Sequence, residues 1–214
     1  SFESLRNQFA AGLNMGIAGI PWWTTDIGGF HGGNPSDPAF REVLVRWFEY
    51  GAFCPVMRLH GDREPHKAPM SDVRGGRCAS GADNEVWSYG DEAYEICKKY
   101  MFLRERMRPY TEQLMREAHE KGSPVIRPLF YGFPEDKKAW EVEDQYLYGA
   151  DILVAPILYA EQRERRVYLP EGVNWTEVWT GKGYEGGQTI TVDAPIDQIP
   201  LFVKDSALLE VLNP

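Results

Sequence analysis

Cysteine is scarce in this chain of 214 residues: Cys54, Cys78 and Cys97 are all it has. The odd count and wide spacing exclude a disulfide framework and a cysteine-based zinc site. The expectation is free, mostly buried thiols, and such usage favours a cytoplasmic origin. Basic residues are also short, 23 against 32 acidic, for a net charge of −9. No basic stripe exists, so nucleic acid is excluded as a partner. The short cationic run RERRV at 163–167 reads as a solvated strand edge. No window holds about eighteen consecutive apolar residues, so no membrane-spanning helix and no membrane partner are expected. No G-x-S-x-G, P-loop or H-E-x-x-H pattern occurs. The four histidines (31, 60, 66 and 119) lack metal-ligand spacing. Neither a metal nor a cofactor is expected. The opening SFESLRNQF contains no leader-like segment and reads as the first turns of a helix, the start expected of a fragment or processed product.

Aromatic residues are plentiful. Seven Trp, eleven Tyr and ten Phe make 13% of the chain, and many stand beside Gly or Pro. Aromatics in loops line sites for flat or ring-shaped ligands, and the rest fill a core. Hydrophobic residues at 43% suffice for a folded domain, or for one domain with a smaller second one.

Apolar spacing predicts a helix over residues 1–13, from Phe2, Leu5, Phe9 and Leu13. Residues 16–22 (GIAGIPW) read as a short buried strand. A helix over 38–51 follows, with Ser36 or Asp37 as cap, Pro38 in its first turn and Gly51 at its end. Residues 53–57 read as a second strand. No periodicity runs through 61–88, where SDVRGGRCASGAD forms a long polar loop of the kind that serves a site or a partner chain. The longest helix spans about 90–120, with a kink or restart at Pro109 and an end at Lys121-Gly122. A third strand is expected at 125–129, a helical turn at 138–149 and an apolar strand at 151–158. From about 164 the pattern changes to period-two runs bounded by Gly, Pro and Asn, the mark of a β-sandwich. The expected division is therefore 1–150, alternating strand and helix, and 151–214, all β. Three strand–helix units are fewer than the eight of a closed barrel, so the first part is either a small open sheet or a piece of a larger barrel.

Functional residues of parallel barrels follow the C-terminal ends of strands. That rule selects WWTTDIGGF, MRLHGD and PLFYGF. Asp26 lies between Thr-Thr and Ile-Gly-Gly, where a carboxylate needs donors: sugar hydroxyls, an arginine or backbone N–H groups. Gly28 and Gly29 permit left-handed backbone and close approach of a ligand. Arg58 and His60, one residue apart, project to the same side of an extended segment and can donate to vicinal hydroxyls. Trp22 or Trp23 could offer a flat wall; the alternative places Asp26 in a turn and both indoles in the core. Asn174-Trp175-Thr176 fits a glycosylation sequon, a short pattern with little weight.

Six stretches in fixed order, GIPWWTTDIGGF, PVMRLHGDREPH, KYMFLRERMRPY, GSPVIRPLFYGFP, DQYLYGADILVAPIL and VYLPEGVNWTEVWTGKGYEGG, resemble glycoside hydrolase family 31. Its members include α-glucosidases and α-xylosidases. The resemblance covers essentially the whole chain. It implies the C-terminal portion of a (β/α)8 barrel followed by a proximal β-sandwich domain. It also implies a retaining double displacement by two carboxylates on an α-linked oligosaccharide or glycoside. By the resemblance Asp26, Phe30, Arg58 and His60 belong to the sugar pocket, with His60 on hydroxyls, and Trp22 and Trp23 stand beside it. The family's W-x-D-M-N-E-like nucleophile motif has no counterpart here; GADNEVW at 81–87 shares letters only. The W-S-G-D acid/base motif would fall just before Ser1. The chain is thus expected to carry no catalytic carboxylate. The loop from Phe30 to Arg58 and the stretch 71–84 are longer than in some members, which leaves leaving-group preference open. Other readings are a carbohydrate-binding or barrel-completing module, pairing with itself or another chain through exposed edges, and an unrelated α/β enzyme using Asp26, Arg58 and His60.

Overall fold

A computed structural model of the chain describes residues 1–69, 71–73 and 80–213. Cys78 and residues 74–79 of the polar run lie outside them. The first helix, α1 (Phe2–Ile17), buries Phe2, Leu5, Phe9 and Leu13 and is capped by the Ser1 hydroxyl. It runs four residues past its expected end, through Gly16 and Ile17. The strand expected at 16–22 is therefore absent. Its remaining residues are irregular, and Ile20 and Trp22 are exposed.

Helix α2 (Pro38–Ala52) begins where expected, with the Asp37 carboxylate accepting from Ala39 N. It ends one residue beyond Gly51. Gly51 is there for packing: a Cβ on it would lie 2.6 Å from Ile27 Cδ1. No strand forms at 53–57 either. Instead the segments on either side of α2 run parallel, joined by Val56 N to Trp23 O (3.1 Å) and Ile27 N to Arg58 O (3.2 Å). Further along, Asp62 N donates to Phe30 O at 2.6 Å, and a parallel bridge joins His31 with Asp62. This is the strand–helix–strand layout of a barrel wall, with too few bonds between its segments to make a ladder.

The region expected to be one polar loop contains a small antiparallel pair, β1 (Arg63–Lys67) with β2 (Ser80–Ala82), and a 3-10 turn at Val86–Tyr89. The long helix is two, α3 (Asp91–Arg106) and α4 (Arg108–Lys121), broken at Met107 with Pro109 in the first turn of the second. Gly122 closes α4 in the left-handed conformation.

The rest is built on a six-stranded antiparallel sheet in the order β3-β4-β5-β10-β7-β8. Its strands are β3 (Ile126–Pro128), β4 (Tyr146–Tyr148), β5 (Ile152–Val154), β7 (Asn174–Glu177), β8 (Gly183–Glu185) and β10 (Leu201–Val203). A second sheet pairs β6 (Glu164–Leu169) with β9 (Gln188–Asp193). Residues 146–148, expected in a helical turn, are a strand; only Lys137–Trp140 forms a turn of 3-10 helix there. Strands β3 and β4 precede position 150 and β5 follows it, so this sheet spans that position. A four-residue turn of helix, α5 (Leu129–Gly132), follows β3, and α6 (Ala207–Leu212) ends the described chain.

Alternation along the central strands splits the core in two. Leu147, Leu153, Trp175 and Phe202 face Val167, Leu169 and Val192 of the small sheet. Tyr146, Tyr148, Ile152, Val154, Leu201 and Val203 face the helices. Both faces are covered, which is why β4, β5 and β10 are buried and apolar at every position. Within the run expected as a solvated edge, Arg165 is buried and donates to the carbonyls of Pro156 and Asp144, while Arg166 is exposed.

Two arginines tie the helical part to the sheets, Arg104 half-buried and Arg46 fully buried. Arg104 donates to the carbonyls of Ala52, Cys54 and Pro55 and to the Tyr148 hydroxyl, and Tyr146 donates to Phe53 O. These bonds fix the approach to Arg58 and His60. Arg46, 0% exposed, donates to the carbonyls of Gln162, Ala194, Pro195 and Gln198 and to Glu49 at 3.0 Å.

Candidate functional site

Asp26, Phe30, Arg58 and His60 come together where the two parallel segments leave the barrel wall. Arg58 Nη2 donates to Asp26 Oδ1, and His60 Nδ1 lies 3.7 Å from the same oxygen. The Phe30 ring stacks on the His60 imidazole at 5.2 Å between centroids, with His31 edge-on to Phe30 at 4.4 Å. Asp26 is partly shielded, while Arg58, His60 and Phe30 are open to solvent. A cavity of about 290 Å³ lies on the Asp26 and Phe30 side of the cluster, lined also by Thr25, Gly28, Gly29, His31, Trp47, Ser1, Ser4 and Gln8, while Arg58 and His60 stand outside its lining. The cluster thus brings together a carboxylate, a guanidinium, and an imidazole stacked on a phenyl ring. Among the described residues no group of three or more His, Cys, Asp or Glu could hold a metal, and no helix is long and apolar enough to cross a membrane.

The two tryptophans part company. Trp23 packs on α1, where a Cβ at Gly12 would lie 2.6 Å from its Nε1. Trp22 is 68% exposed. The buried indole that supports the site is Trp47, whose Nε1 donates to Thr25 Oγ1 at 3.2 Å.

The residue that shapes this loop is Arg63, which sequence reasoning passed over. It is fully buried, and its donors are spent on the site's own backbone. Nη1 donates to Gly29 O (2.7 Å) and Gly32 O (3.1 Å), and Nη2 to Ile27 O (2.9 Å). Nε donates to Tyr89 Oη (3.0 Å) and Asn84 Oδ1 (3.2 Å). Asn84 Nδ2 in turn holds Gly61 O, and the Phe40 ring covers the guanidinium at 5.2 Å. Burial pushes the Tyr89 phenol above its ordinary range despite Arg63, so it remains a donor and binds Asn84 Oδ1. Gly28 has φ +85°, and a Cβ there would sit 2.8 Å from Arg63 Nη2. A planar five-donor group can collect carbonyls that an irregular loop cannot satisfy itself. It thereby sets where Asp26 and Phe30 point.

Two family models match the chain. "Glycosyl hydrolases family 31 TIM-barrel domain" covers residues 1–114, and "Glycosyl hydrolase family 31 C-terminal domain" covers 122–209. The chain belongs to glycoside hydrolase family 31. It is 38% identical over 212 residues to the alpha-xylosidase of Saccharolobus solfataricus, covering 99% of this chain and 26% of that protein. It is 35% identical over 210 residues to alpha-glucosidase 2 of Bacillus thermoamyloliquefaciens, covering 97% and 24%. Among solved structures, a family 31 alpha-xylosidase from a soil metagenome, complexed with xylose, superposes with a TM-score of 0.95 at 54% identity. That match covers all of this chain and 32% of the other. The fold is accordingly a family 31 barrel portion followed by the family's β-rich C-terminal domain. The chain spans about a quarter of the length of these two curated relatives.

Proposed function

We propose that this family 31 chain supplies the sugar-holding part of a retaining α-glycosidase that acts on α-xylosides or α-glucosides at non-reducing ends. The observation that carries the reading is the convergence of Asp26, Arg58 and His60 beneath the stacked Phe30 ring. Asp26 would accept from vicinal hydroxyls, Arg58 and His60 would donate to them, and Phe30 would wall the apolar face of the ring. Trp22 would flank this pocket from its exposed position, and Trp23 would support it from α1. The names of the relatives, alpha-xylosidase and alpha-glucosidase, support the substrate class.

Retaining hydrolysis needs two carboxyls about 5–5.5 Å apart, one as nucleophile and one as acid and then base. The two motifs expected to bear them do not occur in this sequence. We therefore assign the chain's own residues to positioning: they fix the ring so that its anomeric carbon meets carboxylates supplied by the rest of an enzyme. Such orientation is a large part of the rate advantage in any two-group reaction. We place the division between the two parts near residues 115–122, in the C-terminal half of α4 and its Gly122 end, since β3 and β4 share the sheet with β5 and the family models divide there.

The test is incubation of the chain alone with an aryl α-xyloside and an aryl α-glucoside. No turnover above background is expected of either. Release of the aryl group at an enzymatic rate would overturn the assignment of roles.

A further inference from the structure

A second aromatic groove lies between α1 and the start of the β-rich part. It has a volume of about 620 Å³. Its floor is Phe130 and Trp140, stacked nearly parallel at 4.6 Å and 12°. Trp140 Nε1 donates to Pro134 O at 2.9 Å, so the indole is anchored while remaining 59% exposed. Tyr159, 58% exposed, stands on the same groove with the Arg6 guanidinium 4.6 Å from its ring centre. Arg6 is itself tied to Leu158 O at 3.0 Å. Each of these two rings thus has one face held and solvent on the rest of its surface. Asn14 and Glu143 line the groove alongside them, Asp144 does so while paired with Arg165 at 2.9 Å, and Phe9, Leu13, Ile17 and Val142 supply its apolar wall.

We propose that this groove is a second carbohydrate site, separate from the Asp26 cluster, that takes an α-linked oligosaccharide. An anchored indole loses little freedom on stacking against a pyranose ring. Glu143 then accepts from the ring hydroxyls, and the Asn14 amide, one N–H of which is held by Ala10 O, offers its remaining donor and acceptor. An apolar protein surface laid on the same groove would meet its apolar wall but strip water from the exposed Glu143 and return no polar partner, which is unfavourable. A hydroxyl-rich ring meets both requirements. The proposal rests on the functional reading only for the choice of an α-linked probe.

The chain is titrated with isomaltotriose and maltotriose while the indole N–H signals are followed by NMR. The Trp140 signal is expected to shift saturably with at least one trisaccharide. Trp140→Ala and, independently, Tyr159→Ala should weaken binding about tenfold or more, with the dispersion of the remaining spectrum confirming the fold. Asp26→Ala should leave the Trp140 response intact. An absent Trp140 response, unchanged affinity in the folded Tyr159→Ala variant, or loss of the Trp140 response in Asp26→Ala would each overturn the second site. A Trp140 response without any response at residues 26–30 and 58–60 would instead sustain it and count against the reading of the Asp26 cluster.

Discussion

Glu49 should make the chain less stable as pH rises from about 4.5 to about 7, and Glu49→Gln should abolish that loss. The carboxylate is 0% exposed on α2 and pairs with Arg46 at 3.0 Å, but its second oxygen, Oε1, has no hydrogen-bond partner. Burial pushes its pKa from 4.5 to about 7, against the opposing charge of Arg46. The other groups that bear on it are Lys99, Tyr100 and Cys97 of α3. Because the folded pKa lies above the unfolded one, the folded state holds a proton between these values that the unfolded state has released. Stability therefore falls as pH rises from about 4.5 to about 7 and stays lowered above. The interval is about 2.5 pH units, which at about 1.36 kcal/mol per unit gives a loss of about 3 kcal/mol. Glutamine keeps an acceptor for Arg46 and removes the charge. Urea unfolding of both proteins from pH 4.5 to 8.5 isolates the effect, since the histidines titrate in both. The difference between variant and wild type should grow with pH in favour of the variant. A difference independent of pH, at equal m-values, would refute the reasoning.

Arg63→Met should strand the carbonyls of Ile27, Gly29 and Gly32 and cost about 3 kcal/mol or more in denaturant unfolding, since each lost charged hydrogen bond is worth about 1.5–3 kcal/mol. Gly28→Ala places a side chain at φ +85° against Arg63 and Leu44. It should cost about 1–2 kcal/mol by the same assay and shift the Asp26 and Phe30 resonances. Burial pushes the Cys54 and Cys97 thiols up to about 12. Iodoacetamide at pH 8 should leave both unlabelled in the native chain and label both in urea, as peptide mass spectrometry would read.

The helical half was legible because its signals are local. Asp37 and Pro38 start α2, Pro109 splits the long helix, and Gly122 ends it, each through backbone chemistry confined to a few residues. The strands expected at 16–22 and 53–57 failed for a nonlocal reason. Their apolar runs are real, but a strand exists only by its ladder, and these segments share too few bonds to form one. Residues 146–148 failed in the opposite sense. Tyr146, Leu147 and Tyr148 are all buried because both faces of the sheet are covered, so the period-two signal is erased. The clustering of the four candidate residues was legible from a strand-end rule, an Arg-x-His spacing and a family resemblance. Arg63 was not. In the sequence it is one charge among several in RLHGDREPH, and its role depends on carbonyls more than thirty positions earlier. The paired glycines at 28–29 and 32–33 were the available hint, since an irregular glycine loop must find outside donors for its carbonyls.

The account stands or falls on whether the Asp26 cluster holds a sugar. The direct measurement is an NMR titration of the folded chain with methyl α-xyloside and methyl α-glucoside. Half a pocket should bind weakly, with a Kd on the order of millimolar. The account predicts saturable shifts at Asp26, Phe30, Arg58 and His60 that vanish in Asp26→Ala while the rest of the spectrum is unchanged. Saturable shifts that persist in that variant, or none at those four residues with either glycoside, would contradict it.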